Sequence, residues 1–397
     1  MDNKINYNTS AITGSYDMIM GAVSSFSMVF LLANDMNEVM VGNMVALANL
    51  IATLTQPVLA NMADRSKKFS LYHYIAITLL LVVTSLVAIL FFKENVIILF
   101  ALYTMALALL AVLMPFHNSL IMFLIDKGYN VNFGVSRAMG SFMFAVTSTG
   151  VGLLVSRWGT DAIIYVGLLG AFIYFLANTL VNKKYLVNDE KQRWVVNTNV
   201  DQAPLDHIET PFFKKYPTFP WVLFGALNLF ISHNIINTFM FQIVDNLGGG
   251  STEMGFAFSL AALVEVPTMV FYTRITKKIT HETALKFSSV FFVIKALITL
   301  LAGSIYVFYL AQLTQALAFA IYIVACVYYT NTLMEGNDKT KGQAFLAAFQ
   351  TTGAIIGGVV GGWIIGQFSI KYALALSLIS TILGVICFQK GLSSKKV

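Results

Sequence analysis

The run 71-LYHYIAITLLLVVTSLVAILFF-92 decides the fold: it holds no aspartate, glutamate, lysine or arginine, and Lys93 and Glu94 stop it. A helix rises about 1.5 Å per residue, so roughly 20 mainly apolar residues cross a hydrocarbon slab of about 30 Å. Working outward from this run, stretches of similar length recur near 11–33, 39–62, 95–124, 134–156, 160–182, 219–244, 252–275, 282–303, 305–333, 341–367 and 370–392. The first is the weakest, because Asp17 and several serines and threonines interrupt it. Barrel strands are excluded, since the runs are too long and do not alternate strictly.

Composition agrees. The 397 residues are 57% hydrophobic and 11% charged, and the mean hydropathy is +0.75. One water-soluble core could not hide that much apolar surface. The expected fold is an all-α membrane protein of twelve transmembrane helices.

Charge placement sets the expected orientation. Arg65, Lys67 and Lys68, then Lys127 and Arg137, then Lys183 to Lys215, then Arg274, Lys277, Lys278 and Lys286, then Lys339 and Lys341 crowd alternate loops. The opposite loops carry Lys93, Arg157 and Lys371 beside Asp35, Glu38, Asp245 and Glu253. Lysine-rich loops face the cytoplasm, which puts both termini there, in the cell membrane. The net charge of +6 then reflects topology and anionic lipid headgroups rather than a nucleic-acid partner. Cys326 and Cys387 fall inside spans, so neither a disulfide nor a metal site is expected. Lys4 precedes no compact apolar core with a small-residue cleavage site, so the first span is expected to remain as a signal anchor.

A polar segment separates six spans from six, giving expected units 1–182 and 218–397 with a cytoplasmic linker at 183–217. The two halves echo one another: Pro57 precedes Lys67-Lys68 by the same interval that separates Pro267 from Lys277-Lys278. Such six-plus-six repeats suit transporters that rock two bundles around a midplane site.

Ionisable residues at depth carry the functional information, because each costs about 2.5–3.5 kcal/mol even on the mildest scale. Asp17, His233, Glu265 and Lys295 are deepest; Arg137 starts the fifth span, and His117 and Asp126 lie toward the same end of the fourth. Glu265 and Lys295, on neighbouring spans with opposite sign, could form a fixed pair, or Glu265 could face a cavity as proton carrier or solute contact. Asp17 suits a proton or Na⁺ site or a cap-like role, and His233 either a switch or a satisfied polar residue. Gln56, Asn234, Asn237, Gln315, Tyr322 and Gln350 offer amides and phenols to a polyhydroxy or heteroaromatic solute, or to neighbouring helices. Glycines 353, 357 and 361 share one face of the eleventh span, with Gly358 and Gly362 beside them, for close helix contact. There is no P-loop, zincin motif or nucleophile elbow, so neither ATP-driven transport nor an enzyme is expected.

Five segments resemble the major facilitator superfamily, and within it the oligosaccharide/proton symporters and phenylpropionate-type permeases. They are Gln56-Pro57 with Asp64-Arg65; Phe133 to Ser141 (FGVSRAMGS); Glu265-Val266-Pro267; Lys339 to Gln343 (KTKGQ); and the glycines from Gly353 to Gly362. The resemblance implies that Asp64 and Arg65 form a conformational latch, although Ala60 stands where the family prefers glycine. It implies that Arg137 holds solute hydroxyls, where the residue-level alternative is a headgroup anchor. It also implies that Glu265 contacts solute and that Lys295, standing where arginine is usual, tunes proton release. In lactose-type relatives a carboxylate about 18 residues before the arginine pairs with it; here that place is Ser119, with Asp126 as substitute. The relatives' His–Glu proton pair on the tenth span is replaced by Leu317 and Ala320, leaving Asp17, Glu265 or His233 for coupling. The expected function is proton-coupled symport of a small polar solute (sugar, oligosaccharide or nucleoside-like) by a monomer without cofactors. Sodium coupling, an aromatic or other organic-acid cargo and drug/proton antiport are the alternatives.

Overall fold

The computed structural model describes residues 3–65, 70–186, 211–336 and 338–392. Among them twelve helices are long and apolar enough to cross a membrane, and there are no strands. The spans are α1 (Ile5–Leu32), α2 (Glu38–Leu59), α3 (Leu71–Phe92), α4 (Val96–Asp126), α5 (Phe133–Trp158) and α6 (Asp161–Tyr185). Then follow α7 (Phe219–Thr238), α8 (Ser251–Tyr272), α9 (His281–Leu301), α10 (Ile305–Leu333), α11 (Asp338–Gln367) and α12 (Ile370–Gly391). Side-chain caps start several of them: Asn95, Asn132, Thr280 and Ser304 accept backbone N–H groups at the heads of α4, α5, α9 and α10.

The first span begins some six residues earlier than hydropathy places it. Its hydroxyls are satisfied along the helix itself, Thr9 donating to the Ile5 carbonyl and Ser15 to the Ala11 carbonyl. Asn6 anchors its start, exchanging hydrogen bonds with Asn130 and Asn132. The span is mostly buried by neighbouring helices, so its polar residues meet protein rather than lipid.

Two spans are interrupted in matching places. A π turn at Met20–Ser24 breaks α1, and Phe26 follows it at φ −99°, ψ 13°. In α7 the break comes at Phe239, φ −104°, ψ 25°, before a short helix Met240–Asn246. Both phenylalanines are fully buried. The Tyr103 hydroxyl donates to the Val23 carbonyl inside the α1 break. One such break falls in each set of six spans.

Within the first six spans α1 packs on α5 and α6, and α3 on α4 and α6; within the last six, α7 packs on α11 and α12, and α9 on α10 and α12. The two sets meet where α5 crosses α8 and α2 crosses α11. At the first crossing Gly152 backs onto Ser251 and Gly255 onto Ser148, backbone against backbone. Ser259 donates to the Ala145 carbonyl at 2.5 Å, Ser251 donates to the Gly152 carbonyl, and the Thr149 and Ser259 hydroxyls lie 2.7 Å apart. At the second, Gly42 meets the Gly358 carbonyl and Gly362 the Glu38 carbonyl. Both crossings sit at the lysine-poor end. Among the described residues, the hydrogen bonds between the two sets are confined to it.

The glycines of α11 thus divide by face. Gly353, Gly357 and Gly361 pack on Leu227, Ile231 and Phe239 of the α7 region, whereas Gly358 and Gly362 pack on α2. The expected linker falls largely on residues outside the described ones. At its end the rings of Phe212 and Phe213 pack at a tilt against Phe345, and Lys215 pairs with Asp338 at 2.8 Å.

Candidate functional site

A row of residues every fourth position on α1, Thr9, Thr13, Asp17 and Gly21, lies along a similar row on α5: Ser136, Gly140, Phe144 and Ser148. The spacing follows from helical periodicity. It explains the Arg-x-x-Gly element at Arg137 and Gly140: a Cβ at Gly140 would collide with the Asp17 carboxylate and crowd the Thr13 methyl. The absent side chain seats buried Asp17 against α5, where Arg137 Nη1 donates to Asp17 Oδ2 at 3.4 Å. The relatives' partner carboxylate on α4, whose place Ser119 takes here with Asp126 as the expected substitute, is supplied instead by Asp17 of α1. Small residues on α5 bring α1 close enough to supply it.

On the other side Glu265 of α8 and Lys295 of α9 do not neutralise each other directly. Gln315 stands between them. Its Nε2 donates to Glu265 Oε1 at 2.8 Å, and its Oε1 accepts from Lys295 Nζ at 2.5 Å. The amide reaches both because α10 is broken there: Ile305–Leu313 is α-helical, Thr314–Ala316 forms a single 3₁₀ turn, and a second helix starts at Phe319. Lys295 and Gln315 are 3% and 4% exposed. An amide suits this place because it can donate to a carboxylate and accept from an ammonium at once.

Two acids and two bases thus come from four spans, Asp17 and Arg137 from the first set and Glu265 and Lys295 from the last. Glu265 lies six residues beyond Ser259 on α8 and Arg137 eight residues before Ala145 on α5. The charges thus sit about 9–12 Å past the seal, toward the lysine-rich end.

Beside them is an aromatic group. His233 of α7 stacks on Phe319 of α10 with centroids 4.5 Å apart and planes 5° from parallel, and its Nε2 lies 2.9 Å from Asn237 Nδ2. Phe230 and Phe292 border the same ring and Tyr322, whose hydroxyl accepts from Gln350 Nε2 at 3.1 Å. Asn234 accepts from Thr238 and lies beside Gly357 and Gly358 of α11. Gln56 points elsewhere, its amide donating to the Ala111 carbonyl and tying α2 to α4. The Asp64 and Arg65 side chains lie outside the described residues. The sequence motif contains Gly140 but gave it no role of its own, and Phe230, Phe292 and Phe319 were passed over. A phenylalanine within an apolar run carries no signal of its own.

The model of the MFS_1 like family matches residues 16–375. No curated protein matches the chain. Among solved structures, the chain is similar to the nucleoside transporter NupG, with a TM-score of 0.77 and 14% identity over 100% of both chains. It is similar also to a bacterial homologue of the iron transporter ferroportin in an inward-facing state, with a TM-score of 0.73 and 13% identity over 99% of this chain and 100% of that one. A third is the POT family transporter PepTSo, with a TM-score of 0.72 and 12% identity over 100% of this chain and 99% of that one. At such identities the likeness is one of fold.

Proposed function

The chain belongs to the MFS_1 like family and is a multi-pass transporter of the major-facilitator type, not an enzyme; we propose that it moves a small polar solute by proton symport through alternating access. One observation carries this reading. Asp17 pairs with Arg137 inside the first six spans and Glu265, Gln315 and Lys295 form a chain inside the last six, both on the lysine-rich side of the crossings that join the two sets.

The charges give the reading its chemistry. With both acids ionised, two negative and two positive groups balance and their shared burial is tolerable. A proton on Glu265 or Asp17 unbalances the set by one positive charge and weakens what holds it together, which biases one conformation over the other. Arg137 is the contact offered to solute from the first set, its side chain 44% exposed and its one carboxylate contact long. From the last set, Glu265, the Asn237 and Gln350 amides and the His233–Phe319 platform offer hydrogen bonds and ring faces. Together these suit a sugar, an oligosaccharide or a nucleoside. A nucleoside transporter shares the fold, so nucleosides belong in the first panel of solutes.

In this reading units 1–182 and 218–397 rock about the site and residues 183–217 link them. The lysine-rich end is cytoplasmic with both termini, and Asp64 and Arg65 latch that end when it closes. The protein works in the cell membrane as a monomer among lipids, with no resident cofactor.

Uptake of radiolabelled solutes into proteoliposomes tests it. Accumulation should depend on an inward proton gradient and collapse with a protonophore, and Glu265→Gln should abolish accumulation while exchange persists. Normal uphill uptake by Glu265→Gln would remove Glu265 from coupling. The exposed Arg137 fork also favours a second reading, an organic-acid permease. Aromatic acids that outcompete nucleosides and sugars would select it.

A further inference from the structure

One face of α6 carries Tyr174, Asn178 and Tyr185, spaced four and seven residues apart. The Tyr174 hydroxyl, both polar atoms of the Asn178 amide and the Tyr185 hydroxyl are all buried without a hydrogen-bond partner. His117 of α4 joins the row. Its ring stands edge-on to Tyr174 with centroids 6.5 Å apart, and both its nitrogens are buried and unpartnered. His117, Tyr174 and Asn178 are each 0% exposed.

The row has direction. At its inner end His117 lies 4.8 Å, centroid to centroid, from the ring of Tyr16, which immediately precedes Asp17. At its outer end Tyr185 meets Tyr129 at 5.3 Å, in the turn between α4 and α5 at the lysine-rich end. From Tyr174 to Tyr185 the helix advances about 16 Å.

Unpartnered buried polar atoms are rare because each forfeits its hydrogen bonds to water. So many in one row require something that both donates and accepts. Hydroxyl and amide do both, and a neutral imidazole does one at each nitrogen. An anion or a cation would leave one atom of the amide and one imidazole nitrogen unmet, and the row contains no carboxylate or thiolate to hold a metal. Water satisfies them all, since a buried water typically makes about three bonds to such groups.

We propose that His117, Tyr174, Asn178 and Tyr185 hold a file of ordered water molecules inside the first six spans, and that this file conducts protons between the Asp17 layer and the lysine-rich surface, apart from the solute passage. Each water takes one proton and gives up another, so no proton is gained or lost along the file, and the waters then rotate back to restore its hydrogen bonds before the next transfer. The conducting role rests on the symport reading; the waters do not.

Hydroxyl-radical footprinting in H₂¹⁸O tests the waters on the wild-type protein, because radiolysis labels side chains next to bound water even when they are buried. His117, Tyr174 and Tyr185 should be labelled well above the equally buried Phe26, Phe30 and Tyr103, by fivefold or more. Labelling no greater than at those three overturns the proposal. Asn178→Leu should then cut proton-driven accumulation at least tenfold and exchange less than twofold, with labelling of Tyr174 reduced. Equal losses in both assays overturn the conducting role. Wild-type uptake indifferent to a pH gradient would strike the symport reading, and the conducting role with it, while the labelling result decides the waters separately.

Discussion

Gly42 of α2 backs onto the carbonyl of Gly358 of α11 so closely that a Cβ on Gly42 would collide with the oxygen. In the proposed alternating-access cycle this contact parts when the lysine-poor end opens. A bulky residue here should therefore hold that end open. Gly42→Leu is expected to lower alkylation of a cysteine placed at Met139 at least tenfold and to raise it at Thr149, with solute uptake lost. Each tenfold change in population is about 1.4 kcal/mol of bias. Unchanged labelling at both sites would mean that this crossing does not gate the passage.

Gly140 serves a different purpose, since it accommodates the Asp17 carboxylate beside Arg137. Gly140→Ala should cost about 1–3 kcal/mol through overpacking, seen as a lower Tm in detergent, and should lower uptake more than tenfold. Adding Asp17→Ser removes the colliding group, so the double variant should regain most of the Tm without regaining uptake. Additive losses in Tm would show that the two positions do not share a contact.

Gln315 holds two opposite charges apart and bonds both. Hydrogen bonds to charged groups contribute about 1.5–3 kcal/mol. Gln315→Leu should accordingly destabilise the protein by about 2 kcal/mol in thermal unfolding and reduce accumulation more than tenfold. A variant that unfolds normally and still accumulates solute would make the bridge incidental.

The Lys93–Asp161 pair is short, 2.6 Å, but sits at the lysine-poor surface with side chains 30% and 34% exposed. Exposed pairs contribute about 0–1 kcal/mol. Lys93→Ala should leave uptake unchanged and move the Tm by no more than a few degrees, whatever the order of the surface loops. A large loss of transport would assign that end a role in gating.

Hydropathy and lysine placement made the spans legible, because a bilayer imposes one length and one polarity on every helix that crosses it. The start of α1 was obscured because that helix hides among its neighbours, where Thr9 and Ser15 cost nothing that lipid would charge for them. Glu265, Lys295, Arg137 and Asp17 stood out as charges in apolar runs. Their connections did not. Gln315 reaches its partners only through a broken turn in α10, and Asp17 reaches Arg137 only because Gly140 leaves room. Both depend on backbone geometry between helices distant in sequence, which residue spacing along a single helix does not encode. The row from His117 to Tyr185 joins α4 to α6 and was equally out of view.

Because α11 turns one glycine face to α7 and another to α2, it has one companion within its own set of six spans and one across the junction, which in the proposed cycle is the one that parts. Damage to Gly353, Gly357 or Gly361 should appear as protein that never reaches the membrane intact. Damage to Gly358 or Gly362 should appear as protein that arrives intact and then stalls. A single helix thereby separates the requirements of assembly from those of turnover, one register position apart.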